Sequence, residues 1–277
     1  MPASNTRALE KGPILNADAI VIDLEDSVAP DAKPQARLNA LAALGQDYGH
    51  KLRVLRVNDI HSTFFADDMS LLKQVQPDAV LLPKVESAQT IVDVSQMLDG
   101  LGGSVKLWAM LETTKAVVNA NSIAQSRKLC PQFNTVCIGN NDLAREAGMQ
   151  VSSDRSLLVP WLMNLLLAAK AFELNILDGV YNDFKDVDGF TAECDQGAAM
   201  GMSGKTLIHP NQIDIANRAY APSDADINRA QKIVDAFAQP ENAQLGVLQI
   251  DGRMVERLHL DMALQTIEIA ERIKAFS

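Results

Sequence analysis

The sequence predicts an α/β fold in the form of a (β/α)8 TIM-type barrel, and three observations carry that expectation. Seven short runs are apolar on both faces (AIVID and AVLL are two of them), which suits strands of a parallel sheet covered by helices. Longer amphipathic stretches separate the runs, in the alternation of repeated βα units. Charged and polar residues gather just after each run, where a barrel collects its chemistry.

The strand candidates are residues 19–23, 52–57, 79–82, 106–111, 135–138, 176–179 and 205–208. Residues 1–11 read as a loop entering a helix, so the count stops one short of the eight that close a barrel. Ile91, Val94 and Leu98 share one helical face, and residues 157–172 are so apolar that a well-buried helix is expected. Ser223, with Asp226 three residues on, predicts a capping box for a helix carrying Ile227, Ala230, Val234 and Phe237. Residues 1–238 are therefore assigned to the barrel. Residues 239–277 form an extension of loop, short strand or lid, and helix, packing on the barrel or on a neighbouring subunit.

At 277 residues and 47% hydrophobic, the chain can build one large core. A net charge of −10 and the lack of any Lys/Arg run argue against nucleic-acid binding, although a few converging cations could still hold an anionic ligand. No signal peptide is visible in MPASNTRALEKG, and no apolar stretch reaches the ~18 residues of a membrane span. Cys130, Cys137 and Cys194 are odd in number and lack C-x-x-C spacing. They read as core residues of a protein in a reducing, cytoplasmic compartment.

The strand candidates end in Asp23, Glu25 and Asp26; Arg56 and Asn58; Lys84 and Glu86; Glu112; Asn140, Asn141 and Asp142; Asp178 and Asp183; and His209. Taken singly, Asp142, Asp183 and Asn211 read as helix caps. As a set they read differently. Glu112 and Asp142 end consecutive strands and can converge on a hard divalent cation such as magnesium, which needs only one or two carboxylates. Arg56 is a cation at the end of an apolar strand. The four histidines lack zinc-ligand spacing, and His209 before Pro210 reads as a loop residue. A Schiff base on Lys84 is the minor alternative to the metal. There is no G-x-S-x-G, Walker A or G-x-G-x-x-G.

The strings N-T-R-A-L-E-K, D-A-I-V-I-D-L-E-D-S-V-A-P, R-V-N, L-P-K-V-E, W-A-M-L-E-T, I-G-N-N-D-L-A-R-E, K-T-L-I-H-P-N-Q and D-G-R-M-V-E span nearly the whole chain. In order and spacing they resemble the citrate lyase β-subunit / malyl-CoA lyase family of the HpcH/HpaI aldolase superfamily. The resemblance implies magnesium, with manganese as a possible substitute, on Glu112 and Asp142. It implies a substrate-binding Arg56, Glu25 and Asp26 holding metal-bound waters, and Arg7 and Lys11 near the phosphates of CoA. CoA enters as part of the substrate. It further implies a carboxylate at Glu256 supplied by a neighbouring subunit, hence a homotrimer or hexamer.

Two departures stand out. The family's first apolar strand precedes the motif at residues 2–5, so an incomplete barrel of reduced stability is expected. Glu256 stands where many relatives have Asp, and one methylene can misplace a carboxylate enough to cost on the order of 10²-fold in rate. The implied reaction is magnesium-dependent cleavage of a β-hydroxyacyl-CoA (malyl, methylmalyl or citramalyl type) to an acyl-CoA and a 2-oxo acid. The M-V-E, D-Y-G-H and D-G-V-Y-N strings look most like (3S)-malyl-CoA thioesterases, which makes hydrolysis the alternative. A carrier-dependent citrate lyase β-subunit is the third reading.

Overall fold

The computed structural model describes residues 1–102, 104–150, 152, 154–242 and 244–276, which form two compact units, Met1–Ala216 and Asn217–Ser277. In the first unit β1 (Ala19–Asp23), β2 (Leu52–Arg56), β3 (Ala79–Leu82), β4 (Lys106–Leu111), β5 (Phe133–Ile138), β6 (Asn175–Asp178) and β7 (Gly204–Lys205) form one parallel sheet in sequence order. The chain has the expected TIM-type α/β fold, with seven strands among the described residues rather than eight.

Helix α1 (Thr6–Lys11) precedes the sheet, the crossovers hold α2 (Lys33–Leu44), α3 (Phe65–Leu71), α4 (Ala88–Asp99), α5 (Thr114–Val118), α6 (Ala120–Gln125), α7 (Asn140–Glu146), α8 (Val159–Ala171) and α9 (Val187–Met200), and α10 (Ile213–Tyr220) follows the last strand. Helix α4 buries Ile91, Val94 and Leu98, the face its periodicity predicts. Helix α8 buries Leu162, Leu165 and Leu166 but leaves Leu167 71% exposed, so it is buried on one side and not all round.

The two-residue period of a strand decides which side chains face the sheet's inner surface. Val21, Val54, Leu81, Trp108, Met110, Cys137 and Leu177 meet in one apolar cluster there. Two residues further along each strand, the same face carries Asp23, Arg56, Pro83, Glu112, Gly139 and Gly179. The core thus ends in a polar rim at the strands' C-terminal ends.

Both edges of the sheet differ from expectation. The ladder of the last strand stops at Lys205, although residues 205–208 are apolar enough to continue it. Gln212 Oε1 accepts from the amides of Ile208 and His209, both at 3.1 Å, and this cap draws the backbone off the sheet. At the other edge, Pro2 bridges Asp23 in parallel. The Asp23 amide donates to the Met1 carbonyl at 2.8 Å, and the Ala3 amide to the Asp23 carbonyl at 2.9 Å. Residues 1–3 therefore run beside β1, where a further strand would lie.

In the second unit α11 (Asp224–Ala238), the antiparallel hairpin of β8 (Val247–Ile250) and β9 (Arg253–Glu256), and α12 (Arg257–Phe276) share a core of Ala230, Ile233, Phe237, Val255 and Ala263. The hairpin turns on Asp251 and Gly252, both at positive φ, which matches the twist of the strands it joins. The capping box forms: the Ser223 hydroxyl accepts from the Asp226 amide at 3.1 Å, and the Asp226 carboxylate accepts from the Ser223 amide at 3.3 Å. The sequence assigns α11 to the barrel, but it belongs to the second unit, packed on α12. Periodicity defines an apolar face without naming its partner. Among the described residues no helix is long and apolar enough to cross a membrane.

Candidate active site

The rim begins with a fixed arginine. Arg56 Nε and Nη2 donate to the two oxygens of Asp23 at 2.6 and 2.5 Å, a bidentate pair between adjacent strands. Burial works against both charges, but the mutual hydrogen bond wins. The Asp23 carboxyl lies below its usual range and the Arg56 guanidinium above its own. Arg56 Nη1 lies 3.4 Å from Glu25 Oε2.

Glu25 is 4% exposed, and its position is set from behind. Lys33, buried beneath it, donates to the carbonyls of Leu24 and Glu25 at 2.8 and 3.1 Å and to Asn58 Oδ1 at 2.7 Å. Asn58 also donates to buried Asp68 at 2.5 Å, and Arg37 reaches the other oxygen of Asp68 at 2.7 Å. These polar residues fasten the loop after β1 to the ends of β2 and α3.

Lys84 links the acids. Its Nζ meets Glu25 Oε1 at 2.6 Å and Asp26 Oδ1 at 3.6 Å, while its amide donates to Glu112 Oε1 at 2.8 Å. A φ of 52° permits both contacts, a left-handed conformation that an L-residue holds at a cost of ~1–2 kcal/mol. Burial tends to lower the Lys84 pKa, but Glu25, Asp26 and Glu112 outweigh it and the ammonium is stabilised. A Schiff-base lysine needs the opposite shift, which disfavours that alternative.

Glu112 is 2% exposed. Burial, reinforced by the charges of Glu25 and Asp142, pushes its pKa up to about 7 despite the Lys84 amide and Arg56. Glu25 is likewise raised, by burial first. Asp142, in the first turn of α7, is held by Arg145 at 2.5 Å. Gly139 makes room: a Cβ there would lie 2.3 Å from Glu112 Cβ. The donors suit a hard divalent cation, because a buried carboxyl such as Glu112, which resists ionisation, gains from a positive charge beside it. Among the described residues no group of three or more His, Cys, Asp or Glu side chains is arranged for a metal, so the fit rests on two carboxylates completed by water.

The structure therefore brings together Glu25, Asp26, Arg56 and Glu112, with Asp142 close enough to act on Glu112. Arg7 and Lys11 lie exposed on α1, one turn apart. Glu256 ends β9 in the second unit, its amide donating to His259 Nδ1 at 2.9 Å. His209 caps the short turn after it and stacks on Phe184 with ring centroids 4.4 Å apart, as a loop residue should. Lys33 and Asp68 escape sequence reasoning because they lie far apart along the chain and look like ordinary surface charges.

The HpcH/HpaI aldolase/citrate lyase family profile matches residues 1–210. The chain belongs to this family. It is 43% identical, over 100% of its own length and 94% of the other's, to (3S)-malyl-CoA thioesterase of Cereibacter sphaeroides. It is 32% identical to human mitochondrial citramalyl-CoA lyase, over 99% of this chain and 85% of that one. Among solved structures, Mycobacterium tuberculosis CitE in complex with magnesium, acetoacetate and coenzyme A superposes with a TM-score of 0.79. The two are 28% identical, and the match covers 98% of this chain and 96% of that one.

Proposed function

We propose that the protein hydrolyses a β-hydroxyacyl-CoA of the (3S)-malyl-CoA type in a magnesium-dependent reaction. The observation that carries this reading is the 43% identity to a (3S)-malyl-CoA thioesterase across the whole chain. Motifs alone favour carbon–carbon cleavage; full-length identity moves hydrolysis ahead of it. Cleavage to an acyl-CoA and a 2-oxo acid remains the second reading, supported by the citramalyl-CoA lyase relative.

Glu112 and Asp142 would hold the magnesium, which supplies Lewis acidity to substrate oxygens when bound. Manganese, also a hard cation, is a possible substitute. Arg56, locked by Asp23, offers a fixed positive charge to the oxyanion that develops at the thioester carbonyl. Glu25, whose proton affinity burial raises, would use a remaining lone pair beside its bonds to Lys84 and the Asp26 amide to accept a proton from water. Water adds to the carbonyl, the C–S bond breaks, and the proton leaves with the CoA thiol. Arg7 and Lys11 present two cations for the CoA phosphates. Glu256 completes the site from a neighbouring copy in a homotrimer or hexamer. The three free, buried cysteines fit a reducing cytoplasmic location.

The test is thiol release from (3S)-malyl-CoA by wild type, Glu112→Gln and Asp142→Asn across a magnesium titration. Magnesium-dependent release by wild type alone is expected. Full activity in either variant, or release indifferent to chelator, would remove the metal site.

A further inference from the structure

Among the described residues, one side chain of the rim keeps a buried polar atom without a hydrogen-bond partner. Asn140 is 7% exposed, and its Oδ1 has no hydrogen-bond partner among the described residues. Buried polar atoms are nearly always paired, so an orphan in the rim calls for a reason. Its neighbour behaves differently: Asn141 and Asn182 exchange two amide hydrogen bonds of 3.0 and 2.8 Å.

Gly139 makes room for the Glu112 carboxylate, and Gly179 for the Asn140 carboxamide. A Cβ on Gly139 would fall 2.7 Å from Glu112 Oε2, and a Cβ on Gly179 would fall 2.5 Å from Asn140 Cγ and 2.9 Å from its Oδ1. Gly139 and Gly179 continue the inner face of β5 and β6 past Cys137 and Leu177. Glu112, just past the end of β4, and Asn140, which opens α7 just past the end of β5, therefore both lie in the rim above the core, and Asp142 follows two residues later.

The acceptors around this layer are largely committed. Both oxygens of Asp23 take Arg56, those of Glu25 take Lys84 and the Asp26 amide, and Glu112 Oε1 takes the Lys84 amide. Arg56 and Lys84 only donate. Glu112 Oε2 and Asp142 are left for the cation, and Asn140 Oδ1 is an uncharged acceptor left for a hydroxyl proton.

We propose that Asn140 determines specificity by accepting a hydrogen bond from the hydroxyl on the hydroxy-acid end of the substrate. This assignment rests on the reading of the site as one for β-hydroxyacyl thioesters. An otherwise identical acid without that hydroxyl leaves Oδ1 unpaired, and sites built around a hydroxyl discriminate strongly against such analogues.

The experiment is isothermal titration of magnesium-loaded wild type, Asn140→Leu and Asn140→Ser with (S)-malate and with succinate. Wild type is expected to prefer malate by about tenfold or more. Asn140→Leu should erase that preference while holding succinate within about twofold, and Asn140→Ser, which keeps an acceptor, should retain part of it. Leucine has the branched outline of asparagine and removes an unpaired polar atom, and its urea midpoint shows that it folds. If Asn140→Leu does not fold, complete retention of the preference in Asn140→Ala decides against the assignment. A wild type without preference, or an Asn140→Leu that keeps it, overturns the proposal. Thiol and glyoxylate release from malyl-CoA is measured separately. Neither product, alongside an Asn140-dependent malate preference, refutes the malyl-CoA reading and supports the Asn140 assignment.

Discussion

Replacing Glu112 with glutamine should stabilise the metal-free protein while abolishing its response to magnesium. Glutamine keeps the size of the side chain and the acceptor for the Lys84 amide, so the change is almost purely one of charge. The wild-type carboxyl is raised from its ordinary 4.5 to about 7, first by burial and then by Glu25 and Asp142. Its folded pKa lies above its unfolded one, so the ionised folded form is penalised. Stability falls as pH climbs from 4.5 and levels off above about 7. At about 1.36 kcal/mol per unit, the penalty is roughly 1 kcal/mol at pH 5.5 and roughly 3 kcal/mol at pH 8. Urea denaturation with chelator present, at those two pH values, should show Glu112→Gln ahead of wild type by these amounts, with unchanged slope. Added magnesium should raise the wild-type midpoint at pH 8 and leave the variant where it was. A variant no more stable than wild type at pH 8 would refute the buried-charge account of Glu112.

Arg56→Met strands the Asp23 carboxylate in a buried place and should cost ~3–5 kcal/mol. The double variant Asp23→Asn/Arg56→Met should recover part of that loss, and a simple sum of the single effects in urea melts would deny the pairing. In Gly139→Ala the new Cβ must displace Glu112, so kcat/KM should drop on the order of 10²-fold. Unchanged kinetics would mean that Glu112's position is not critical. Glu256→Gln should cripple turnover with little change in CoA affinity, as titrated with free CoA; surviving activity would exclude a carboxylate role for Glu256.

The strands were legible because parallel strands buried on both faces spell uninterrupted apolar words, and AIVID, AVLL and KLWAML each lie where they were read. The acids at their ends were legible for the same reason, since the strand fixes where its last side chain emerges. What lay beyond reach depended on partners. Ile208 belongs to an apolar run, yet a cap by Gln212 ends the ladder before it. The amphipathic face of α11 fits a barrel or α12 equally well until packing decides. Lys33, Asn58 and Asp68 form a network only because three separate segments meet.

The most direct test follows (3S)-malyl-CoA, magnesium and the purified protein in one tube, reading free thiol and glyoxylate together. The account predicts free thiol with malate and no glyoxylate. Glyoxylate without free thiol would contradict it and establish carbon–carbon cleavage in its place.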